Sequence, residues 1–266
     1  MKNPISKKLV PKNFKKQFFL NNVITIRSDS ITIIFDAMTN ELLFTDALTN
    51  ENLYVKNPAF TALGRKMVAA SIELIDELGF EGFTFRKLAK EIETTEASVY
   101  RYFESKHQLL LFLINIYWGH LGKKIELLTR HEEDSKLRLE KSIRILLSTE
   151  DEPYFTIGDY KKLRHLVTQE ASKVYLHKNV DAENKAGFFL LYKSVVKNLS
   201  DIVLEICPSY PFPNALISTI IEGSFQQLFF AEHLPRLTNF KDNQLAINDF
   251  YLNMTFSILD NYGKEK

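Results

Sequence analysis

Residues 62–113 read ALGRKMVAASIELIDELGFEGFTFRKLAKEIETTEASVYRYFESKHQLLLFL, and the recurrence of their apolar side chains decides the fold. From Ala62 to Leu78 the apolar positions are Leu63, Met67, Ala70, Leu74 and Leu78, with Val68, Ile72 and Ile75 widening the stripe. That spacing predicts a helix with one buried face. Gly79 is expected to stop it by accepting left-handed geometry. Thr84 can cap a second, short helix that buries Leu88, Ala89 and Ile92. Thr95 caps a third, in which Glu96 favours the positive helix N-terminus and residues 97–102 form the body. Ser105 to Gln108 is a capping-box pattern opening a long amphipathic helix to about Leu128. Two short helices joined by a tight turn and followed by a long one make a helix-turn-helix, whose second helix can set its N-terminal side chains into a major groove.

The ordered set formed by Leu78-Gly79-Phe80, FTFRKLAKEI (83–92), a turn, SVYRYF (98–103) and SKHQLL (105–110) resembles the DNA-binding domain of the TetR family of one-component transcriptional regulators. The resemblance covers about fifty residues, and its order makes it specific. It implies a mainly all-α chain in which a helical C-terminal domain dimerises and takes a small effector that relieves repression. By the same resemblance Thr84 and Arg86 touch phosphate at the start of the second helix, Tyr100 and Tyr102 are the recognition-helix aromatics, and Lys106 is the cation opening the fourth helix. Glu96, Ala97, Ser98 and Arg101 take the groove-facing positions, beside the capping Thr95. The chemistry agrees, because hydroxyls and cations position a protein on phosphates while short polar groups and Arg read base edges. Tyr102 and Phe103 can equally be core anchors.

Two features depart from the family pattern. Glu93 stands where the turn usually has glycine, so either it bears a strain of about 1 kcal/mol at positive φ or the turn differs. Glu96 repels phosphate but can accept a hydrogen bond from cytosine. Across residues 60–110 seven Lys/Arg face eight Asp/Glu, so the module itself is not basic.

Upstream, residues 1–20 hold six lysines and no acid, which reads as a basic arm that either neutralises phosphate or is a solvated tail. VITIR (23–27), ITIIF (31–35), ELLFT (41–45) and ENLYV (51–55) alternate with turn signals and predict a small β-meander. The expected organisation is arm and meander over 1–57, helix-turn-helix over 58–110 and a helical dimerisation and effector domain over 111–266.

Downstream, helices are expected at 135–148, 158–177, 182–206, 214–234 and 243–262, with Asn214 capping the fourth of them. In the family the two late helices pair with their mates. Ile220, Gly223, Ser224, Leu228, Phe250, Met254 and Ile258 fit that homodimer face, with packing inside one chain as the competing explanation. Tyr160, His165, Phe189 and Tyr192 are candidates for a pocket for an apolar or aromatic effector, although such a stripe also suits a core. His165, Glu170 and His177 do not share one helical face, so no metal is expected, and no cofactor.

Composition limits the alternatives. The 266 residues are 45% hydrophobic with net charge +1, enough for a sizeable core but with no global field for nucleic acid. No apolar run approaches the roughly 20 residues of a membrane span, and no signal peptide is evident, so a cytoplasmic protein away from membranes is expected. The single cysteine, Cys207, excludes an internal disulfide. No phosphate loop, nucleophile elbow or zinc spacing supports an enzyme. The expectation is a double-stranded DNA-binding regulator acting on a palindromic operator as a homodimer, and its rival is a helical protein-interaction module that keeps the fold without DNA binding.

Overall fold

A computed structural model describes residues 50–150, 152, 155–241, 243 and 245–264. Within them the regular structure is eleven α-helices and three 3-10 turns, with no strand. The basic arm and the first three meander segments lie outside the described residues. The fourth, ENLYV, is not a strand. Glu51–Leu53 is a 3-10 turn, because the Asn50 side chain accepts the Asn52 N–H and Leu53 turns inward to full burial.

Helix α1 (Ala62–Gly82) begins where the Thr61 hydroxyl accepts the Gly64 N–H at 2.9 Å. It buries Met67, Val68, Ser71, Ile72 and Ile75, so the buried face is centred on the residues expected only to widen the stripe, while Leu63, Ala70 and Leu74 are half-buried and Leu78 is exposed. Gly79 stands at φ 68, so the regular helix stops there and residues 80–82 form an extra turn. Helices α2 (Phe85–Glu91), α3 (Glu96–Tyr100) and α4 (Lys106–Thr129) follow, and each starts on a hydroxyl cap. Thr84 accepts from Lys87 N, Thr95 from Ser98 N and Ser105 from Gln108 N, at 3.1–3.2 Å. Each such bond satisfies an N–H that the helix leaves without a partner.

Helix α4 is not amphipathic along its first half: every residue from Leu109 to Leu121 is buried. A helix apolar on all sides belongs inside, and α4 is the pillar of the molecule. Around it stand α5 (Ser135–Leu147), α6 (Tyr160–Glu170), α7 (Ser172–Tyr175), α8 (Val180–Lys185), α9 (Leu190–Ile206), α10 (Pro213–His233) and α11 (Leu245–Lys264). Helix α9 packs on α4, α5 and α10, while α11 packs on α5 and α10. Helix α1 lies against α6, which joins the helix-turn-helix to the remainder of the bundle.

Three downstream boundaries differ from expectation. The stretch expected as one helix over 182–206 is broken by Gly187 at φ 82, which closes α8 before α9 begins. The 158–177 stretch is divided at Ala171, which keeps helical angles (φ −59, ψ −34). Asn214 does not cap α10, because Pro213 occupies its first turn and Phe212 is the cap residue.

Candidate nucleic-acid interface

The turn between α2 and α3 has a definite geometry. Ile92 ends α2, Glu93 follows at φ 56, and the Thr94 and Glu93 N–H groups donate back to the Ala89 and Lys90 carbonyls at 2.8 and 3.2 Å. This is the paired closure of a Schellman motif with glutamate in the left-handed position. Of the two outcomes left open by the sequence, the strained residue is the one realised. The Lys66 ammonium donates to the Ile92 carbonyl at 3.2 Å and ties the turn to α1.

Beyond the turn, Thr95, Glu96, Ala97, Tyr100 and Arg101 are exposed and Ser98 is half-buried. Tyr100 keeps 50% of its surface open while its ring sits edge-on to Phe85 at 5.0 Å, so a buried aromatic aims an exposed one. The Arg86 and Arg101 side chains are exposed and make no hydrogen bond or ion pair with the described residues. The Thr84 and Thr95 oxygens accept the cap bonds; the Thr84 O–H still has a proton to give, while the Thr95 hydroxyl also shares a hydrogen bond of 2.9 Å with the Ser98 hydroxyl.

Two expected contacts sit elsewhere. Tyr102 is buried, its hydroxyl is 2.7 Å from Thr61 Oγ1, and its carbonyl accepts the Val55 N–H at 2.8 Å. It anchors the entry to α1 and offers no surface to a ligand. Lys106 is also engaged within the chain. Its ammonium donates to the Phe80 carbonyl at 3.1 Å, lies 4.6 Å from the Phe80 ring centre and stands 3.9 Å from the Glu81 carboxylate.

The near-neutral charge count of the module has a structural cause that the sequence reading missed. Three of its acids are turned to the bundle: Glu73 pairs with Lys162, Asp76 with His165 at 2.6 Å and Glu81 with Lys173 at 3.0 Å. The Phe80 N–H donates to Glu170 at 3.1 Å in the same seam. Lys173 holds the Glu81 carboxyl below the usual carboxylate range. With these three pairs set aside, cations outnumber acids in the module. The i, i+3 spacing of Glu73 and Asp76 opposite Lys162 and His165 was the available signal.

The expected effector residues do not line one cavity. Tyr160 stacks on Tyr117 at 6.0 Å, Phe189 packs against Tyr175, and Tyr192 stacks on Trp118 at 4.3 Å with its hydroxyl donating to Glu222. Burial, then the Glu222 charge, pushes the Tyr192 hydroxyl far up, and burial does the same for Tyr160. These aromatics fill one another's space. Only His165 lines the cavity of about 360 Å³ between α6 and α10, with Lys161, Arg164, Thr168, Phe229, Glu232 and Lys241. Arg164 Nε and Nη2 and Thr168 Oγ1 are buried there without a hydrogen-bond partner.

On the late helices, Ile220 and Ser224 are buried within the chain, and a side chain at position 223 would meet the Tyr251 hydroxyl at 2.6 Å. Ile220 and Ser224 thus hold α10 against its own neighbours and are closed to a partner, while Gly223 is half-buried. Leu228, Met254 and Ile258 are half-buried, and Phe250 is exposed.

Residues 67–112 match the profile of bacterial regulatory proteins, tetR family. The chain carries a TetR-family helix-turn-helix domain. Among relatives, it is 30% identical over 103 residues to the nucleoid occlusion factor SlmA of Shewanella pealeana, covering 35% of this chain and 52% of that protein. The chain thus spans about half the length of that relative. The structure of AibR in complex with isovaleryl coenzyme A and operator DNA aligns with TM-score 0.50 and 15% identity, over 71% of this chain and 97% of that one. The fatty acid degradation regulator FadR from Bacillus halodurans aligns with TM-score 0.53 and 15% identity, over 72% and 95%. These two show that the TetR-type domain is followed by a bundle of the same fold. No helix among the described residues is long and apolar enough to cross a membrane.

Proposed function

We propose that the chain is a cytoplasmic homodimeric repressor that holds a palindromic operator in double-stranded DNA and lets go when a small anionic effector enters the α6–α10 cavity. The observation that carries the reading is the exposed strip Thr95–Arg101, set behind a hydrogen-bonded turn with Arg86 and Arg101 uncommitted. Thr84, Arg86, Thr95 and Tyr100 would hold phosphates, and Glu96, Ala97, Ser98 and Arg101 would face base edges. Lys106 would have to leave Phe80 to join them.

Two copies are needed to read a palindrome, since a two-fold axis in the protein matches one in the operator. Phe250, Met254 and Ile258, spaced four apart on α11, are the open apolar stripe that supports a dimer. For the effector, the half-buried Arg164, hydrogen-bonded to Tyr117 but with Nε and Nη2 buried and lacking partners, favours a carboxylate or phosphate over the apolar or aromatic ligand expected from sequence. In the AibR structure isovaleryl coenzyme A and operator DNA are the bound species. No catalytic step enters this reading.

Selection of bound sequences from random duplex DNA by the purified protein tests it. Enrichment of a palindrome with half-sites about one helical turn apart, or a multiple, is expected. No enrichment above background would overturn DNA reading and favour the protein-interaction module. Sedimentation at micromolar concentration should give a dimer, and thermal shifts with a panel of carboxylates and phosphates should vanish in Arg164→Met.

A further inference from the structure

His107, the second residue of α4, meets two residues from a distant stretch of the chain. Its Nε2 is 2.8 Å from Glu183 Oε1 on α8, and the His177 Nδ1, in the loop between α7 and α8, is 3.9 Å from that same oxygen. The two imidazole rings lie 4.6 Å apart and 31° from parallel. One ligand atom from each of the three residues fits within 4.8 Å of the others. The second carboxylate oxygen, Glu183 Oε2, is buried with no hydrogen-bond partner, on a side chain only 12% exposed. The Asn179 N–H donates a long hydrogen bond of 3.4 Å to His177 Nδ1.

A carboxylate with one buried oxygen left without a partner, converging with two imidazoles, is a donor set that a bound cation would satisfy. We propose that His107, His177 and Glu183 form a site for a divalent transition metal of the zinc class. Two imidazoles and one carboxylate are the donors that zinc takes in three-ligand sites, with water as the fourth, whereas magnesium prefers an all-oxygen shell. Ligands about 2.0–2.2 Å from zinc stand about 3.4 Å from one another in a tetrahedron, so the 2.8 Å His107–Glu183 contact must open slightly while the wider separations, 3.9 Å for His177–Glu183 and at most 4.8 Å, close. Nδ1 of His177 would exchange its long bond from Asn179 for the metal. His107 follows Lys106 at the start of α4, and Glu183 sits four residues before the Gly187 break. Bound metal would therefore cross-link the opening of α4 to α8.

Chelator-stripped full-length protein should bind one Zn²⁺ per chain by calorimetry and melt at a higher temperature with zinc. Magnesium should do neither. His107→Ala, His177→Ala and Glu183→Gln should each lower zinc affinity by at least the roughly 10–100-fold that even an outer-shell partner costs. The exposed His131→Ala should bind as the unmodified chain does. Co²⁺ should give the visible absorption of a tetrahedral nitrogen-oxygen site and lose it in His177→Ala. Substoichiometric zinc, or unchanged affinity in Glu183→Gln and His177→Ala while their circular dichroism matches the parent, would overturn the site. All readings are taken without DNA, so their failure is separate from failure of the repressor reading.

Discussion

Two helices of this chain end in the same backbone closure with different residues at its centre. Helix α2 closes through Glu93 at φ 56, and α8 closes through Gly187 at φ 82. In both, the next N–H donates five residues back, Thr94 to Ala89 at 2.8 Å and Phe188 to Glu183 at 3.1 Å. The inner bonds match as well, Glu93 to Lys90 at 3.2 Å and Gly187 to Asn184 at 3.1 Å. Glycine reaches the left-handed region without steric cost, whereas a side chain there costs about 1–2 kcal/mol. At Glu93 the surroundings must hold what the residue resists: Ile92 is buried and its carbonyl takes the Lys66 ammonium. The pair shows that a turn can be set either by its own residue or by its neighbours. The neighbour-held one lies directly before the helix proposed to read DNA, where strain is commonly kept for function.

The largest effect should come from the element the first turn aims. Arg101→Ala should weaken DNA binding by about 1–3 kcal/mol and relax selectivity at one position of each half-site, as read by fluorescence anisotropy on single-base variants. Equal loss across all sequences would make Arg101 a phosphate contact. Next, Gly187→Ala should destabilise the fold by about 1–2 kcal/mol in urea unfolding, since a Cβ there takes an unfavourable φ and meets Leu190 Cδ1 at 3.0 Å. If stability is unchanged, α8 can end in another way. Thr95→Ala removes the cap that starts α3 and should cost about 1 kcal/mol. Far-UV circular dichroism and the urea midpoint check it. The smallest change is a gain: Glu93→Gly should stabilise by about 0.5 kcal/mol, the relief of positive φ being partly offset by the freer unfolded chain. A loss there would mean that the Glu93 side chain contributes a contact of its own.

The same contrast explains what could be read from the amino acids. The helix starts at Thr84, Thr95 and Ser105 were legible because a hydroxyl cap is a local signal acting on an N–H three residues away. The starts of α7, α8, α9 and α10 have no side-chain cap bond, and there the expected boundaries merged or shifted. Gly187 was a legible stop that the surrounding apolar periodicity masked. For the interface, Tyr100 and Arg101 were assigned by the family resemblance, and both are exposed. Tyr102, one residue on, pointed inward because Thr61 and Val55 meet it from earlier in the chain. Glu73, Asp76 and Glu81 counted as local acids in sequence, yet their partners lie about ninety residues away. The cluster of His107, His177 and Glu183 is likewise a product of tertiary folding, and no spacing announces it.

The chain has one tryptophan. Trp118 sits on the central helix with its ring stacked on Tyr192, its Nε1–H donating to the Tyr175 hydroxyl at 3.0 Å, and Phe225 of α10 at 6.1 Å. Tyr192 in turn donates to Glu222 of α10 at 2.7 Å. One indole is thus in touch with α4, α7, α9 and α10 at once. Its ultraviolet emission is a built-in optical gauge of how those helices sit, and ligand titrations can be followed on the unlabelled protein.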